Sequence, residues 1–311
     1  MSRRRKNALL QRVEYLFYRA VARAVRPASN EALRRWGARL GNLARRVLRG
    51  RDRLAMRNLA ETFPEKSERE RRRILDECWR HFGREALATI RMQHVPLEEI
   101  PSHCPFVNGQ ILEEAIARGR GVVLISAHFG AWEIAGLAIM ALVSNVHTVA
   151  RPLDNELLER DIANLRARTG AEVVDRKRAA RALLKALSRK GVVILLPDQA
   201  VQAREGILVP FLGRPAWTTD APAKMALRLE SEIVFAFCIP DETGHRLEFE
   251  EPIRIDQMND DEKSAEALTT RINDVISRRI TERPELWLWM HDRWKGNASG
   301  EIEGETTTDG Q

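Results

Sequence analysis

Gly121-Val122-Val123-Leu124-Ile125-Ser126-Ala127-His128-Phe129-Gly130-Ala131-Trp132-Glu133 passes from an apolar run into a turn that carries a histidine and a carboxylate. Short apolar runs bounded by turn residues read as buried strands, so Gly121–Ala127 is expected to be a core strand with Gly130 turning the chain after it. From Gly121 to Ala150 the only formal charge is Glu133, which raises the question of a membrane span. Gly130, Asn145, His128 and His147 interrupt that stretch, and strand, turn, buried helix, strand is the better reading. Val146–Ala150 is the second strand. Working outward, the spacing predicts a helix over Asn155–Thr169, a strand at Glu172–Asp175, a helix over Ala179–Arg189 and a strongly apolar strand at Val192–Pro197. A helix over Ala221–Leu229, strands Ile233–Ile239 and Leu247–Pro252, and a helix over Ser264–Arg283 complete the pattern. Strands alternating with helices predict an α/β fold with a mostly parallel central sheet flanked by helices.

The amino-terminal side differs in character. Residues 1–53 hold 16 Lys/Arg against three acids (Glu14, Glu31 and Asp52), a local excess of +13 in a chain of net +7, so the remainder carries −6. Leu9, Leu10, Val13, Leu16, Phe17, Ala20, Val21, Ala24 and Val25 recur at helical spacing within residues 8–26. Leu33, Trp36, Leu40, Leu43 and Val47 form a second such stripe beside many arginines. Two readings are open: the stripes cover the core, or one of them lies in the headgroup plane of an anionic leaflet. Arginines recur through the start of the chain with no uninterrupted apolar core, so no signal peptide is expected. Ser67-Glu68-Arg69-Glu70 is a capping box opening a helix through Leu75, Trp79, Phe82, Ala86 and Ile90. The expected organisation is a basic amphipathic segment over 1–53, an α/β domain over 54–295 and a polar, disordered tail over 296–311. Cys78, Cys104 and Cys238 are odd in number and far apart, which indicates neither a disulfide framework nor a zinc knuckle. The globular part gives no hint of a nucleic-acid partner.

The sequence has no phosphate-binding G-x-x-x-x-G-K-[ST], no G-x-G-x-x-G opening a helix and no G-x-S-x-G elbow. His128 and Glu133 instead stand directly after the first core strand, where open α/β sheets place their sites. On a continuous helix five residues would separate the two side chains by about 140°. A turn at Gly130 instead folds Glu133 back, so that its carboxylate accepts Nδ1–H and leaves Nε2 as a general base. This is the orienting part of a serine-hydrolase triad without the serine, so the substrate's own hydroxyl plays the nucleophile. No third histidine or carboxylate stands nearby at metal spacing, so neither a metal nor a cofactor is expected.

Ser126–Glu133 resembles the H-x4-[DE] block of the late acyltransferases of lipid A biosynthesis. Further blocks occur in order: Arg57-Asn58-Leu59 with Phe63-Pro64-Glu65; Arg151–Asn155 with Arg166–Gly170; Pro197-Asp198-Gln199; Val209–Pro215 with Thr218; and Trp289–Lys295. Ala127 stands where that family often has Asn, and Asp292 where it often has a basic residue. The resemblance implies transfer of an acyl group from an acyl carrier protein or coenzyme A thioester to a hydroxyl of an anionic glycolipid or phospholipid. It also implies an enzyme on the cytoplasmic face of the bacterial inner membrane; the N-terminal helix is more arginine-rich than the hydrophobic anchor common in that family, so a peripheral, monotopic attachment is expected. In that setting His128 and Glu133 are the expected catalytic pair, and Arg151, Arg166, Asp198 and Gln199 the expected substrate-binding residues. Arg151 ends the second core strand on the same sheet edge as His128, where a guanidinium suits a phosphate or an oxyanion. Trp287, Trp289 and Trp294, interleaved with Arg293 and Lys295, suggest an interfacial belt or packing onto the sheet. Two rivals remain: a lipid hydrolase using water, and a non-catalytic basic protein binding membrane or nucleic acid.

Overall fold

A computed structural model describes residues 7–150, 153–168, 170, 172–175, 179–241 and 244–296. The chain opens with helices α1 (Ala8–Val25), α2 (Asn30–Val47), α3 (Arg49–Thr62) and α4 (Glu68–Met92). The short α5 (Ile100–His103), β1 (Phe106–Val107) and α6 (Gln110–Ala117) lead into the sheet. Next come β2 (Val122–Ile125), α7 (Trp132–Leu142), β3 (Val146–Ala150), α8 (Glu156–Arg168), β4 (Glu172–Asp175), α9 (Ala179–Ser188) and β5 (Val192–Leu195). The chain closes with β6 (Ile207–Phe211), β7 (Arg214–Thr218), α10 (Ala221–Leu229), β8 (Glu232–Pro240), β9 (His245–Ile253) and α11 (Ala265–Glu282).

The main sheet has the order β1-β9-β8-β2-β5-β3-β4. Every pairing is parallel except β8 with β9. β2 and β5 sit side by side at its centre although β3 and β4 intervene in the chain. Alternation along the strands builds two cores. Val123, Ile125, Val193, Ile233 and Phe235 face one, with residues of α3, α4, α9, α10 and α11. Val122, Leu124, Val192, Ile194 and Val234 face the other, with α6 and α7. The expected α/β architecture with a mostly parallel central sheet is thus present.

Several elements were not expected, among them α5, β1 and α6 ahead of the first core strand. α3 carries a charged, weakly patterned sequence, and β6 pairs with β7 as a separate hairpin. Its two-residue loop is Leu212-Gly213, with φ of 50° and 73°, and leucine there hides the usual turn signature. The capping box forms, with Ser67 Oγ accepting Glu70 N–H and Glu70 Oε2 accepting Ser67 N–H. Arg151 and residues 297–311, the bulk of the expected tail, lie outside the described residues.

α1 is seated polar side inward. Tyr15 Oη donates to Asp161 and Tyr18 Oη to Gln93, while Asn155 Nδ2 donates to the Gln11 carbonyl and to Glu14. Its apolar Leu9, Val13, Leu16 and Phe17 are 55–71% exposed. On α2, Leu43 and Val47 are also exposed. Apart from Ala22 and Val25 at its end, α1 therefore does not cover the core with its stripe. Among the described residues no helix is long and apolar enough to cross a membrane.

α2 and α4 cross in backbone contact. A Cβ on Gly41 would stand 1.9 Å from the Trp79 carbonyl oxygen, one on Gly37 2.4 Å from Arg84 Cα, and one on Gly83 2.1 Å from the Gly37 carbonyl oxygen. Gly41→Val is therefore expected to lower unfolding stability by about 1–3 kcal/mol or more through forced separation of the helices. Urea denaturation measures this, and an unchanged midpoint would contradict the crossing.

Candidate active site

The pairing of β2 with β5 sets the site. Ile125 stands opposite Leu195, and Ser126 N–H still donates to the Leu195 carbonyl at 3.0 Å. Three residues beyond each of those partners come His128 and Asp198, so the same register brings both to the carboxyl edge of the sheet. Asp198 is 1% exposed and holds His128 with both oxygens. Oδ1 lies 2.9 Å from Nδ1 of the imidazole, and Oδ2 accepts the His128 backbone N–H at 2.9 Å. Trp287 Nε1–H donates to Oδ2 at 2.9 Å.

A carboxylate accepts only, so Nδ1 carries the ring proton and Nε2 keeps its lone pair. Nε2 faces the Gln199 side-chain amide nitrogen at 3.1 Å. Burial disfavours the imidazolium, yet the Asp198 charge and hydrogen bond outweigh it and hold the His128 pKa above its ordinary value, with a smaller contribution from Glu133. Burial likewise opposes ionisation of Asp198. Its contacts with His128 and Trp287 overcome this and hold its carboxyl below the usual range.

The turn after His128 is built by its surroundings. Gly130 has φ of 60°, and a Cβ there would stand 1.9 Å from the Cys238 carbonyl oxygen. Glycine alone fits such a position. Gly130 N–H donates to the Leu286 carbonyl, Ala131 N–H to the Cys238 carbonyl and Leu288 N–H to the His128 carbonyl. Trp287, Trp289 and Trp294 are buried behind this turn, with the rings of Trp287 and Trp289 4.7 Å apart. Arg293 is fully buried, donates to the Trp217 carbonyl and to Thr218 Oγ1, and lies 4.5 Å over the Phe211 ring. Burial lowers its pKa to about 10. Asn58 Nδ2 donates to the carbonyls of Trp289 and His291, and His291 Nε2 accepts Ala200 N–H. The closing segment is therefore a strap across the site, and the reading of its tryptophans as an interfacial belt is set aside.

The contact expected of Glu133 is made by Asp198. α7 starts at Trp132, and Glu133 is exposed on its first turn, accepting Trp132 Nε1–H at 3.2 Å. The strand register delivers Asp198 to the imidazole first. Asp198, expected to bind substrate, is buried against His128 and Trp287 and has no open face to offer. Gln199 does meet the reactive nitrogen. Arg166 belongs to α8, whereas Arg151 has no described placement. Sequence reasoning missed Asp198 as the orienter, although Val122-Val123-Leu124-Ile125 and Val192-Val193-Ile194-Leu195 are near-copies, each with a polar group three residues further on. Among the described residues no group of His, Cys, Asp or Glu gathers that could hold a metal ion.

The profile of the family described as "Bacterial lipid A biosynthesis acyltransferase" matches residues 2–296. The chain belongs to that family. The lipid A biosynthesis lauroyltransferase of Escherichia coli (strain K12) is 28% identical over 269 residues, covering 86% of this chain and 86% of the relative. The lipid A biosynthesis palmitoleoyltransferase of the same organism is 27% identical over 268 residues, covering 85% of each chain. The phosphatidylinositol mannoside acyltransferase of Mycobacterium tuberculosis (strain ATCC 25618 / H37Rv) is 27% identical over 191 residues, 60% of this chain and 59% of that one. A solved 1-acyl-sn-glycerophosphate acyltransferase from Thermotoga maritima aligns with a TM-score of 0.39 at 14% identity, covering 75% of this chain and 97% of that one. The protein is an acyltransferase.

Asp198→Asn is expected to cut the maximal rate of acyl turnover by about 10²–10⁴-fold, because the imidazole loses its orienting charge. The sign of the pH effect comes from the raised His128 pKa. Activity needs the neutral ring, so the wild-type rate rises as pH passes above that pKa, and the variant's acidic limb moves to lower pH. A pH–rate profile of both proteins checks the shift; an unmoved limb would remove Asp198 from the site.

Proposed function

We propose that the protein transfers a fatty acyl group from an acyl carrier protein or coenzyme A thioester to a hydroxyl of a lipid A precursor type of glycolipid at a membrane surface. The carrying observation is the His128–Asp198 pair, which presents a basic Nε2 whose hydrogen-bond partner is an amide rather than a serine, threonine or cysteine of the protein. Cys78, Cys104 and Cys238 are buried, and burial pushes the thiols of Cys78 and Cys238 well above their ordinary pKa. The nucleophile is then the acceptor's own hydroxyl. His128 Nε2 removes its proton as the oxygen attacks the thioester carbonyl, Asp198 stabilises the imidazolium, and the proton passes to the leaving thiolate as the C–S bond breaks. Gln199 keeps Nε2 in its accepting state until the hydroxyl takes the amide's place. Glu133, exposed beside Trp132 and close enough to favour the imidazolium, is the second catalytic residue on the open side. Arg151 and Arg166 are assigned to the acceptor's phosphates by the likeness of their blocks to the family.

The outward stripe of α1 supports attachment to the cytoplasmic face of the inner membrane. Leu9, Val13, Leu16 and Phe17 face outward on a segment rich in arginine. Apolar insertion is then reinforced by about 1 kcal/mol per basic residue near an anionic leaflet.

Incubation of the full chain with an acyl carrier protein thioester and a lipid A precursor, read by mass spectrometry, is expected to give an acylated lipid. His128→Ala should lower that product by at least about 100-fold. Release of free fatty acid with no acylated lipid would replace transfer by hydrolysis. In flotation with phosphatidylglycerol-containing vesicles, Leu16→Glu with Phe17→Glu should lose binding that the wild type shows at low salt. Equal binding by both would remove α1 from the membrane surface.

A further inference from the structure

α4 buries a histidine and a glutamate one turn apart: His81 is 2% exposed and Glu85 7%. Residues four apart share a helix face, and buried polar groups of this kind hold partners. His81 Nε2 lies 3.3 Å from the carbonyl oxygen of Gly130. A carbonyl only accepts, so Nε2 carries the proton. The unprotonated Nδ1 faces Glu85 Oε1 at 3.7 Å with no hydrogen bond between them, and Glu85 is paired instead with His245, whose Nε2 lies 2.7 Å from Oε2. Burial holds the His81 pKa below its ordinary value despite the glutamate, which keeps the ring in the neutral form this contact uses.

His81 acts on a single peptide unit. The Gly130 C=O and the Ala131 N–H belong to one planar amide. His81 holds its oxygen, and the Cys238 carbonyl of β8 accepts its N–H at 3.0 Å. His245, the partner of Glu85, opens β9, the antiparallel neighbour of that same strand. α4 and the β8–β9 pair therefore grip the amide from its two ends. This amide joins the His128 turn to the first turn of α7, where Glu133 sits. A cavity of about 330 Å³ adjoins His81, Glu85 and His245.

We propose that His81 is a positioning residue for acyl transfer: it clamps the Gly130–Ala131 amide and so sets His128 and Glu133 relative to each other. The inference rests on the reading of His128 as the general base. The test compares full-length wild type, His81→Leu, which removes the donor, and His81→Gln, whose amide N–H reaches the same carbonyl. Turnover of an acyl-coenzyme A thioester with a lipid A precursor is measured together with hydrogen exchange at the Ala131 amide. His81→Leu is expected to lower kcat by about 100-fold with KM nearly unchanged, the loss typical of a misplaced catalytic group. Its Ala131 amide should exchange at least about 10-fold faster. His81→Gln should recover kcat to within about threefold and restore slow exchange. Equal losses in the two variants, or a folded His81→Leu with wild-type kcat and exchange, would overturn the proposal. Should His81→Leu not fold, His81→Asn, whose amide is one methylene shorter than that of Gln, carries the same test with an expected kcat loss of about 10-fold, and an unchanged kcat and exchange there would count against the clamp. His128→Ala run alongside separates the two readings. If turnover does not depend on His128 the acyl-transfer mechanism fails, while exchange at Ala131 still decides the clamp.

Discussion

A buried carboxylate holding both the backbone and the ring of one histidine is the constraint around which the site is arranged. Asp198 has almost no contact with solvent and accepts three hydrogen bonds, from His128 N–H, His128 Nδ1 and Trp287 Nε1. An ionised carboxylate without such partners could not remain charged at that depth. The partners in turn require that β2 and β5 be neighbours in register, and that the chain return from α11 to place Trp287 beside them. The sheet order, the carboxy-terminal strap and the chemistry of His128 thus answer to one electrostatic requirement.

The same requirement explains the character of the surrounding scaffold. A turn built on a left-handed glycine, the most freely moving of residues, keeps one geometry only when its surroundings fix it. Here the Leu286 and Cys238 carbonyls and His81 hold its amides, and a wall of buried tryptophans backs them. Rigid elements hold catalytic groups to closer tolerances than loops do. The outer surface obeys another logic. α1 turns its tyrosines and its glutamate toward the body and its leucines and Phe17 outward, an arrangement suited to a helix whose second solvent is lipid.

Much of the fold was legible because its signals are local. The apolar runs of β2 and β5, the Val146–Ala150 strand, the Ser67 capping box and the α11 periodicity each announce themselves within a dozen residues, and the structure carries all of them. His128 was legible from its place at a strand end. Its partner was not, because the distance from residue 128 to residue 198 closes only through a strand order in which two strands are skipped. Glu133 was the nearer carboxylate in sequence and the farther one in hydrogen bonding. Periodicity also cannot tell which side of an amphipathic helix faces the protein, and the inward tyrosines of α1 remove only the reading in which its stripe covers the core. The tryptophans near the carboxyl end were left between two readings for a related reason: basic neighbours suggest a surface, but Arg293 is itself buried among backbone carbonyls and aromatic rings, and packing is the reading that holds.

The most direct test of the account is the tautomer of His128, observed by long-range ¹H–¹⁵N NMR of the full-length protein above the pH at which the ring loses its charge. A protonated, downfield-shifted Nδ1–H and an unprotonated Nε2 are the expected signature of the Asp198 contact. A ring carrying its proton on Nε2, or one exchanging freely between the two forms, would contradict it.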